Sequence, residues 1–298
     1  LVKGAVVVAR KCRVSSFVIG AVIVGIGTSL PELVVSTVGA IGGNSEVAIG
    51  NVVGSNIFNV FAILGLTALF FPIAVSRENM KFEIPFCIAV SVLLMLLVYN
   101  FFVVGEPRLG RWDGAALLLV FTSFMWISLR RGKNSAAAVG ESVEEENKSL
   151  WFAAFSILGG LAALIVSSNF FVDEAVAIAR KLGVSDAFIS ITLLACGTSL
   201  PELAASVTAA VKKDTDMALG NIIGSNIFNA TMILGTASLI TPLTTGKIGL
   251  VDYGAMILAA VLPMIFGIRG KITRFEGLLM LLCYAAYTWY IVTYVMAV

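Results

Sequence analysis

Two polar blocks interrupt this otherwise apolar chain, and each occurs twice at one fixed offset. Gly27-Thr28-Ser29-Leu30-Pro31-Glu32-Leu33 returns as Gly197-Thr198-Ser199-Leu200-Pro201-Glu202-Leu203. Gly50-Asn51-Val52-Val53-Gly54-Ser55-Asn56-Ile57-Phe58-Asn59 returns as Gly220-Asn221-Ile222-Ile223-Gly224-Ser225-Asn226-Ile227-Phe228-Asn229. The offset is 170 residues both at the glutamates and at the final asparagines, so neither copy carries an insertion between its blocks. Such a chain folds as two homologous halves, and each half contributes one lone carboxylate in identical surroundings.

The sequence around the blocks sets the solvent. Of 298 residues 59% are hydrophobic and 13% charged, about half the charge of an average soluble domain. Apolar runs over 82–104, 114–129, 150–166, 251–266 and 277–298 are long enough, or nearly so, to cross a hydrocarbon core of roughly 30 Å as helices. The ten-residue alternation of a transmembrane barrel is not visible. The chain therefore reads as an all-α polytopic membrane protein, surrounded by lipid. A net charge of +2 gives no reason to expect a nucleic-acid partner, and nothing points to a protein partner. Four cysteines (Cys12, Cys87, Cys196, Cys283) lie scattered in apolar segments without CxxC spacing, and the absence of histidine excludes imidazole relays and His-based metal sites.

The repeat places a first half at 1–130, a connecting loop at 131–149 and a second half at 150–298. The second half reads as five spans, about 150–180, 185–212, 216–242, 249–268 and 274–296. The first shows the end of one span, then about 14–41, 46–72, 82–104 and 112–130. The apolar run at 150–166 has no counterpart before Leu1, which leads us to expect that most of a first helix is missing from this chain. Five is odd, so the halves enter the membrane in opposite orientations. With 131–149 placed in the cytoplasm of a cell-membrane protein, the inside loops collect fourteen Lys and Arg and the outside loops five. Arg180-Lys181 runs against that distribution, since its repeat-mate Arg10-Lys11 falls inside. The acidic cluster Glu141 and Glu144–Glu146 reads as a solvated loop, because it lacks the spaced ligands and sharp glycine turn of a calcium loop.

Glu32 falls in mid-span, where an ionised side chain costs about 2.5–3.5 kcal/mol on insertion scales and faces the bundle interior or water. Pro31 removes a backbone donor and clashes with the Gly27 carbonyl, and Gly25 and Gly27 ease the bend. Carbonyls over 25–28 are thereby expected to leave the helix ladder, and the Thr28 and Ser29 hydroxyls stand beside them. The second half repeats this with Glu202, Pro201, Thr198, Ser199 and carbonyls near Ala195. Ser55 and Asn59 share a helix face, as do Ser225 and Asn229. All are hard oxygen donors, suited to Na+ or Ca2+ rather than to soft metals. Two carboxylates meeting at a pseudo-two-fold axis repel, and one divalent cation neutralises both. Gly50-x-x-x-Gly54 and Gly220-x-x-x-Gly224 read as helix-packing patterns, and Asn51, Asn56, Asn221 and Asn226 as interhelical hydrogen-bonding groups.

GTSLPEL followed by GNxxGSNIFN, present twice, resembles the paired α-repeats of the calcium/cation antiporter superfamily, specifically its sodium/calcium exchanger branch of prokaryotic type. The resemblance implies a ten-helix exchanger fold of two inverted five-helix repeats, with a central site and alternating access by sliding of the first and sixth helices. It implies that Glu32 and Glu202 are shared by Ca2+ and Na+, and that Thr28, Ser29, Thr198 and Ser199 ligate through hydroxyls or carbonyls. Ser55, Asn59, Ser225 and Asn229 would complete flanking Na+ sites, with carbonyls of Gly25 and Ala195. Position 229 is Asn where several exchangers, including potassium-dependent ones, carry Asp, and 131–149 has no room for the calcium-sensing domains of animal exchangers.

The expected function is secondary antiport of Na+ for Ca2+, without enzymatic activity and without a cofactor beyond the transported ions. H+/Ca2+ exchange is the alternative, in which both glutamates take up protons; the block GTSLPE favours sodium. A cation channel is the distant alternative, since midplane proline-broken helices in inverted repeats suit alternating access better than a continuous pore.

Overall fold

The computed structural model describes residues 1–12, 14–100, 106–138, 149–181 and 195–295. In the first half helix α1 is Val2–Cys12, α2 is Ser16–Thr28, α3 is Leu30–Ile41, α4 is Ser45–Phe70, α5 is Asn79–Tyr99 and α6 is Arg111–Ala138. The second half supplies α7 (Leu150–Lys181), α8 (Ala195–Thr198), α9 (Leu200–Val211), α10 (Thr215–Ile240), α11 (Leu250–Gly267) and α12 (Arg274–Tyr290). Seven helices among the described residues are long and apolar enough to cross a membrane, and the pair α2 and α3, bent by 47°, makes an eighth span. The chain is a multi-pass membrane protein.

Four two-residue strands show how the halves are oriented: β1 (Ile73–Ala74), β2 (Arg108–Leu109), β3 (Leu243–Thr244) and β4 (Lys271–Ile272). β1 pairs antiparallel with β4, Ile73 opposite Ile272, and β2 pairs with β3, Leu109 opposite Leu243. Helix α5 runs from β1 to β2, and its repeat equivalent α11 runs from β3 to β4. Since β1 lies beside β4 and β2 beside β3, α5 begins at the face where α11 ends. The two halves are therefore inverted, as the odd span count requires. Each strand pair also satisfies backbone donors and acceptors that would otherwise be left open at a loop.

The two most buried spans, α4 and α10, form the axis of the molecule, and the lipid-facing surface falls to helices such as α6, α7 and α12, with Leu119, Phe155 and Trp289 exposed. Close approach at the centre depends on glycine. A Cβ on Gly220 would overlap the Phe17 carbonyl, and one on Gly224 would overlap the backbone of Ala21, so α10 packs directly on the backbone of α2. Without a hydrophobic drive between helices in lipid, such backbone contact is the main source of packing attraction. The small-xxx-small reading holds for 220–224.

The structure adjusts two expected boundaries. Residues 131–138, read as connecting loop, continue α6 as helix; Ala136, Ala137 and Ala138 are strong helix formers, and the single Gly132 does not end it. Helix α5 ends at Asn100 rather than near 104, because Asn100 adopts the left-handed conformation (φ 31) and its N–H caps the Leu96 carbonyl at 3.0 Å. The acidic cluster at 141–146 and the start of the 185–212 span lie outside the described residues.

Replacing Gly224 by Val forces α10 away from α2. We expect a loss of at least about 1–3 kcal/mol of stability from overpacking, read as a lower thermal unfolding midpoint in detergent. Leu119→Ala on the lipid-facing surface should change it by less than about 0.5 kcal/mol.

Candidate functional site between the inverted halves

Three local devices bring the duplicated blocks together. Ser29 (φ −85, ψ 11) and Ser199 (φ −92, ψ 7) leave the helical region and break their spans in the same way. Pro31 and Pro201 then stand at the first positions of α3 and α9, where a missing N–H costs nothing. That puts Glu32 and Glu202 in the first turn of a helix, both fully buried. In α4 and α10 the third device is a π turn, over Asn59–Leu64 and Asn229–Ile233, beginning at the asparagine of each second block. Such turns are rare and concentrate at functional positions.

The contacts cross between the halves. The Ser29 hydroxyl donates to Glu202 Oε1 at 2.7 Å, and the Ser199 hydroxyl donates to Glu32 Oε1 at 2.9 Å. Thr28 and Ser225 also flank the Glu202 carboxyl, and Thr198 flanks that of Glu32. The carbonyl of each glutamate accepts from an amide on its own half's long helix, Asn51 Nδ2 to Glu32 and Asn221 Nδ2 to Glu202, both at 3.2 Å. Those amides also donate to Ser36 (3.0 Å) and Ser206 (2.8 Å), and their oxygens accept from Thr198 (3.4 Å) and Thr28 (3.3 Å) of the opposite half. Neither half contains a complete set of partners.

Each carboxylate thus has one oxygen held by a serine and one left over. Glu32 Oε2 and Glu202 Oε2 are buried without a hydrogen-bond partner, as are Ser55 Oγ, Asn59 Oδ1 and Asn229 Oδ1. Buried polar atoms without partners are rare, and each calls for a physical reason. All five are oxygens that can ligate a cation and come from the duplicated blocks; among the described residues three more such atoms, Glu83 Oε2, Ser128 Oγ and the Tyr253 hydroxyl, lie outside the blocks. Among the described residues no group of three or more His, Cys, Asp or Glu side chains is arranged to hold a metal, so the centre combines two carboxylates with neutral oxygens.

The expected residues do not all stand as the sequence suggests. Thr28, Ser29, Glu32, Thr198, Ser199, Glu202 and Ser225 meet through the contacts above, Asn59 and Asn229 bond across the halves to Asn226 and Asn56, and Ser55 is buried on the face of α4 that carries Asn59. The Gly25 carbonyl, expected to be free, accepts from Ser29 N–H (3.0 Å) and from the Ser225 hydroxyl (3.2 Å), and competes for the single Thr28 hydroxyl proton (3.2 Å) with the Val24 carbonyl (2.9 Å) and Asn221 Oδ1. The ladder bond survives because the break falls after Thr28, so the Ser29 N–H still closes a turn onto Gly25. Ala195 begins α8, and its surroundings lie outside the described residues. The π turns, the crossed Ser–Glu bonds and the amide bonds to Glu32 and Glu202 went unread; the recurrence of Asn51 and Ser36 as Asn221 and Ser206 was the available signal.

An inverted-repeat membrane protein with unpartnered oxygens at the contact of its halves has the architecture of a secondary ion transporter. The chain belongs to the sodium/calcium exchanger protein family, which matches it over residues 1–130 and 152–293. It is 35% identical over 320 residues to the sodium/calcium exchanger MaX1 of Methanosarcina acetivorans, covering 96% of this chain and 91% of that one. The uncharacterized membrane protein MJ0091 of Methanocaldococcus jannaschii is 36% identical over 278 residues, covering 93% and 87%. A solved structure of the sodium-calcium exchanger NCX_Mj, soaked with 10 mM Na+ and zero Ca2+, superposes with a TM-score of 0.82 at 32% identity, covering 98% of this chain and 92% of that one. Membership makes the chain a cation antiporter rather than a member of an enzyme class.

Removing one serine strands a buried carboxylate oxygen. Ser29→Ala and Ser199→Ala should each lower the stability of the cation-free protein by about 1.5–3 kcal/mol, measured by thermal unfolding. Thr122→Ala, which removes a hydroxyl from the exposed face of α6, serves as the unaffected comparison.

Proposed function

We propose that this chain exchanges Na+ for Ca2+ across the cell membrane by alternating access, with both ions competing for Glu32 and Glu202. The observation that carries the reading is that the duplicated blocks hold five unpartnered buried oxygens, two of them carboxylate. Ca2+ takes six to eight oxygens at about 2.3–2.6 Å. Glu32 Oε2 and Glu202 Oε2 supply its charge balance, and Thr28, Ser29, Thr198 and Ser199 supply further oxygens. Ser55 with Asn59, and Ser225 with Asn229, provide two flanking positions for Na+. At the second of these the Ser225 hydroxyl turns from the Gly25 carbonyl, so that both oxygens face the ion; Ala195 is the equivalent carbonyl for the first. The halves 1–130 and 150–298 supply one half-site each, joined on the cytoplasmic side by a connector that begins as the end of α6.

Antiport follows from charge. Two bare carboxylates in a low-dielectric centre repel, and each costs several kcal/mol to desolvate. The empty centre is therefore poorly suited to cross between its two exposed states. Loaded with one Ca2+ the two charges are balanced, and loaded with monovalent cations they are balanced again, so each crossing requires an ion. Sodium as the counter-ion is supported by the GTSLPE block and by relatives that carry sodium/calcium exchange in their names.

Two measurements test the reading. In proteoliposomes an outward sodium gradient should drive 45Ca2+ uptake, and a proton gradient without sodium should not; uptake that follows pH and ignores sodium assigns the counter-ion to H+. Glu32→Gln and Glu202→Gln should each abolish the flux while leaving the unfolding transition cooperative. Wild-type flux in either variant refutes the site.

A further inference from the structure

An amide is an ambiguous ligand. Its oxygen attracts a cation and its NH2 group repels one, and the two ends exchange by a half-turn about the last side-chain bond. Asn59 and Asn229 can serve a cation only if something fixes which end faces it. We propose that Asn56 and Asn226 are the positioning residues that do so; the inference rests on the reading of the centre as a cation site.

Two backbone carbonyls, which can only accept, set the direction. Asn226 Nδ2 donates to the Asn56 carbonyl at 3.1 Å, and Asn56 Nδ2 donates to the Asn226 carbonyl at 3.0 Å. With their NH2 ends committed, both amides present Oδ1 to the next partner. Asn226 Oδ1 accepts from Asn59 Nδ2 at 3.0 Å, and Asn56 Oδ1 accepts from Asn229 Nδ2 at 3.1 Å. The donor ends of Asn59 and Asn229 are committed in turn. Their Oδ1 atoms remain, buried and without a partner. Each relay runs from a carbonyl through two amides to an unpartnered oxygen, and each link crosses from one half to the other. A half-turn of any one amide would set NH2 against NH2 or oxygen against oxygen, so the direction is fixed along the whole relay.

The four asparagines are also placed for this. Asn56 and Asn226 lie in the last turn of regular helix, and Asn59 and Asn229 open the π turns, which puts the two amides of each half three residues apart on one face. All four are buried. Reading Asn56 and Asn226 only as interhelical glue accounts for their bonds to the opposite backbone. It does not account for the orientation they impose on the next amide.

The test is a double-mutant cycle on the purified full chain, with the affinity for Na+ read from its displacement of 45Ca2+ in equilibrium binding in detergent. Asn56→Leu keeps the shape and removes both ends of the lock. It should weaken binding about ten- to hundredfold, as loss of a group that orients a ligand does elsewhere, with Asn229→Leu weakening it to a similar extent. The double variant Asn56→Leu with Asn229→Leu should bind no worse than Asn229→Leu alone, because a lock has nothing to act on once its amide is gone. Multiplied effects in the double variant, or wild-type affinity in Asn56→Leu, overturn the inference while a binding-dead Glu32→Gln leaves the site reading intact. Unchanged binding in Glu32→Gln overturns both. If Asn56→Leu does not fold, Asn56→Ser, too short to reach either partner, carries the same cycle, and Asn226 with Asn59 carries its mirror.

Discussion

Two carboxylates buried against each other across the contact of two inverted halves are the constraint on which this structure depends. Each is placed by a helix break at a serine, and each is steadied by a serine from the opposite half, at 2.7 Å and 2.9 Å. The arrangement leaves one oxygen per carboxylate without a donor, a costly condition in a membrane interior unless a cation completes it. An antiporter has use for that cost. A centre that is unfavourable when empty and balanced when occupied discourages uncoupled crossing, and the coupling then comes from electrostatics rather than from a separate lock.

The inversion is worked into every layer around the centre. The Ser29 and Ser199 hydroxyls and the Asn56, Asn59, Asn226 and Asn229 amides reach across, so a half on its own would lack these partners. At the membrane faces the β1–β4 and β2–β3 pairs repeat the same exchange in backbone hydrogen bonds. Glycines on α10 bring its backbone onto that of α2, setting the separation at which 3 Å side-chain bonds become possible. Packing, backbone pairing and the polar centre thus enforce one geometry.

Much of this was legible in the sequence because it depends on counting. A gapless repeat and an odd number of spans require inversion, and a lone mid-span glutamate after proline marks a buried break. What escaped depends on position at the scale of one bond. Whether the Gly25 carbonyl is free turns on whether the break falls before or after Ser29, and the proline pattern does not say. The π turns at Asn59 and Asn229 carry no proline or glycine that would have marked them. Asn56 and Asn226 were read as glue because a sequence gives an amide's place and not the direction in which it points. Polar residues 131–138 looked like loop, although no proline or glycine pair ends the helix there.

The account requires that a divalent cation sit between Glu32 and Glu202. Crystals of the full chain soaked with strontium, a calcium surrogate with strong anomalous scattering, would show this directly. The expected result is one dominant peak within about 2.3–2.7 Å of Glu32 Oε2 and Glu202 Oε2, lost in Glu202→Gln crystals. A map with no density between the two carboxylates, or with the dominant peak elsewhere in the protein, would contradict it.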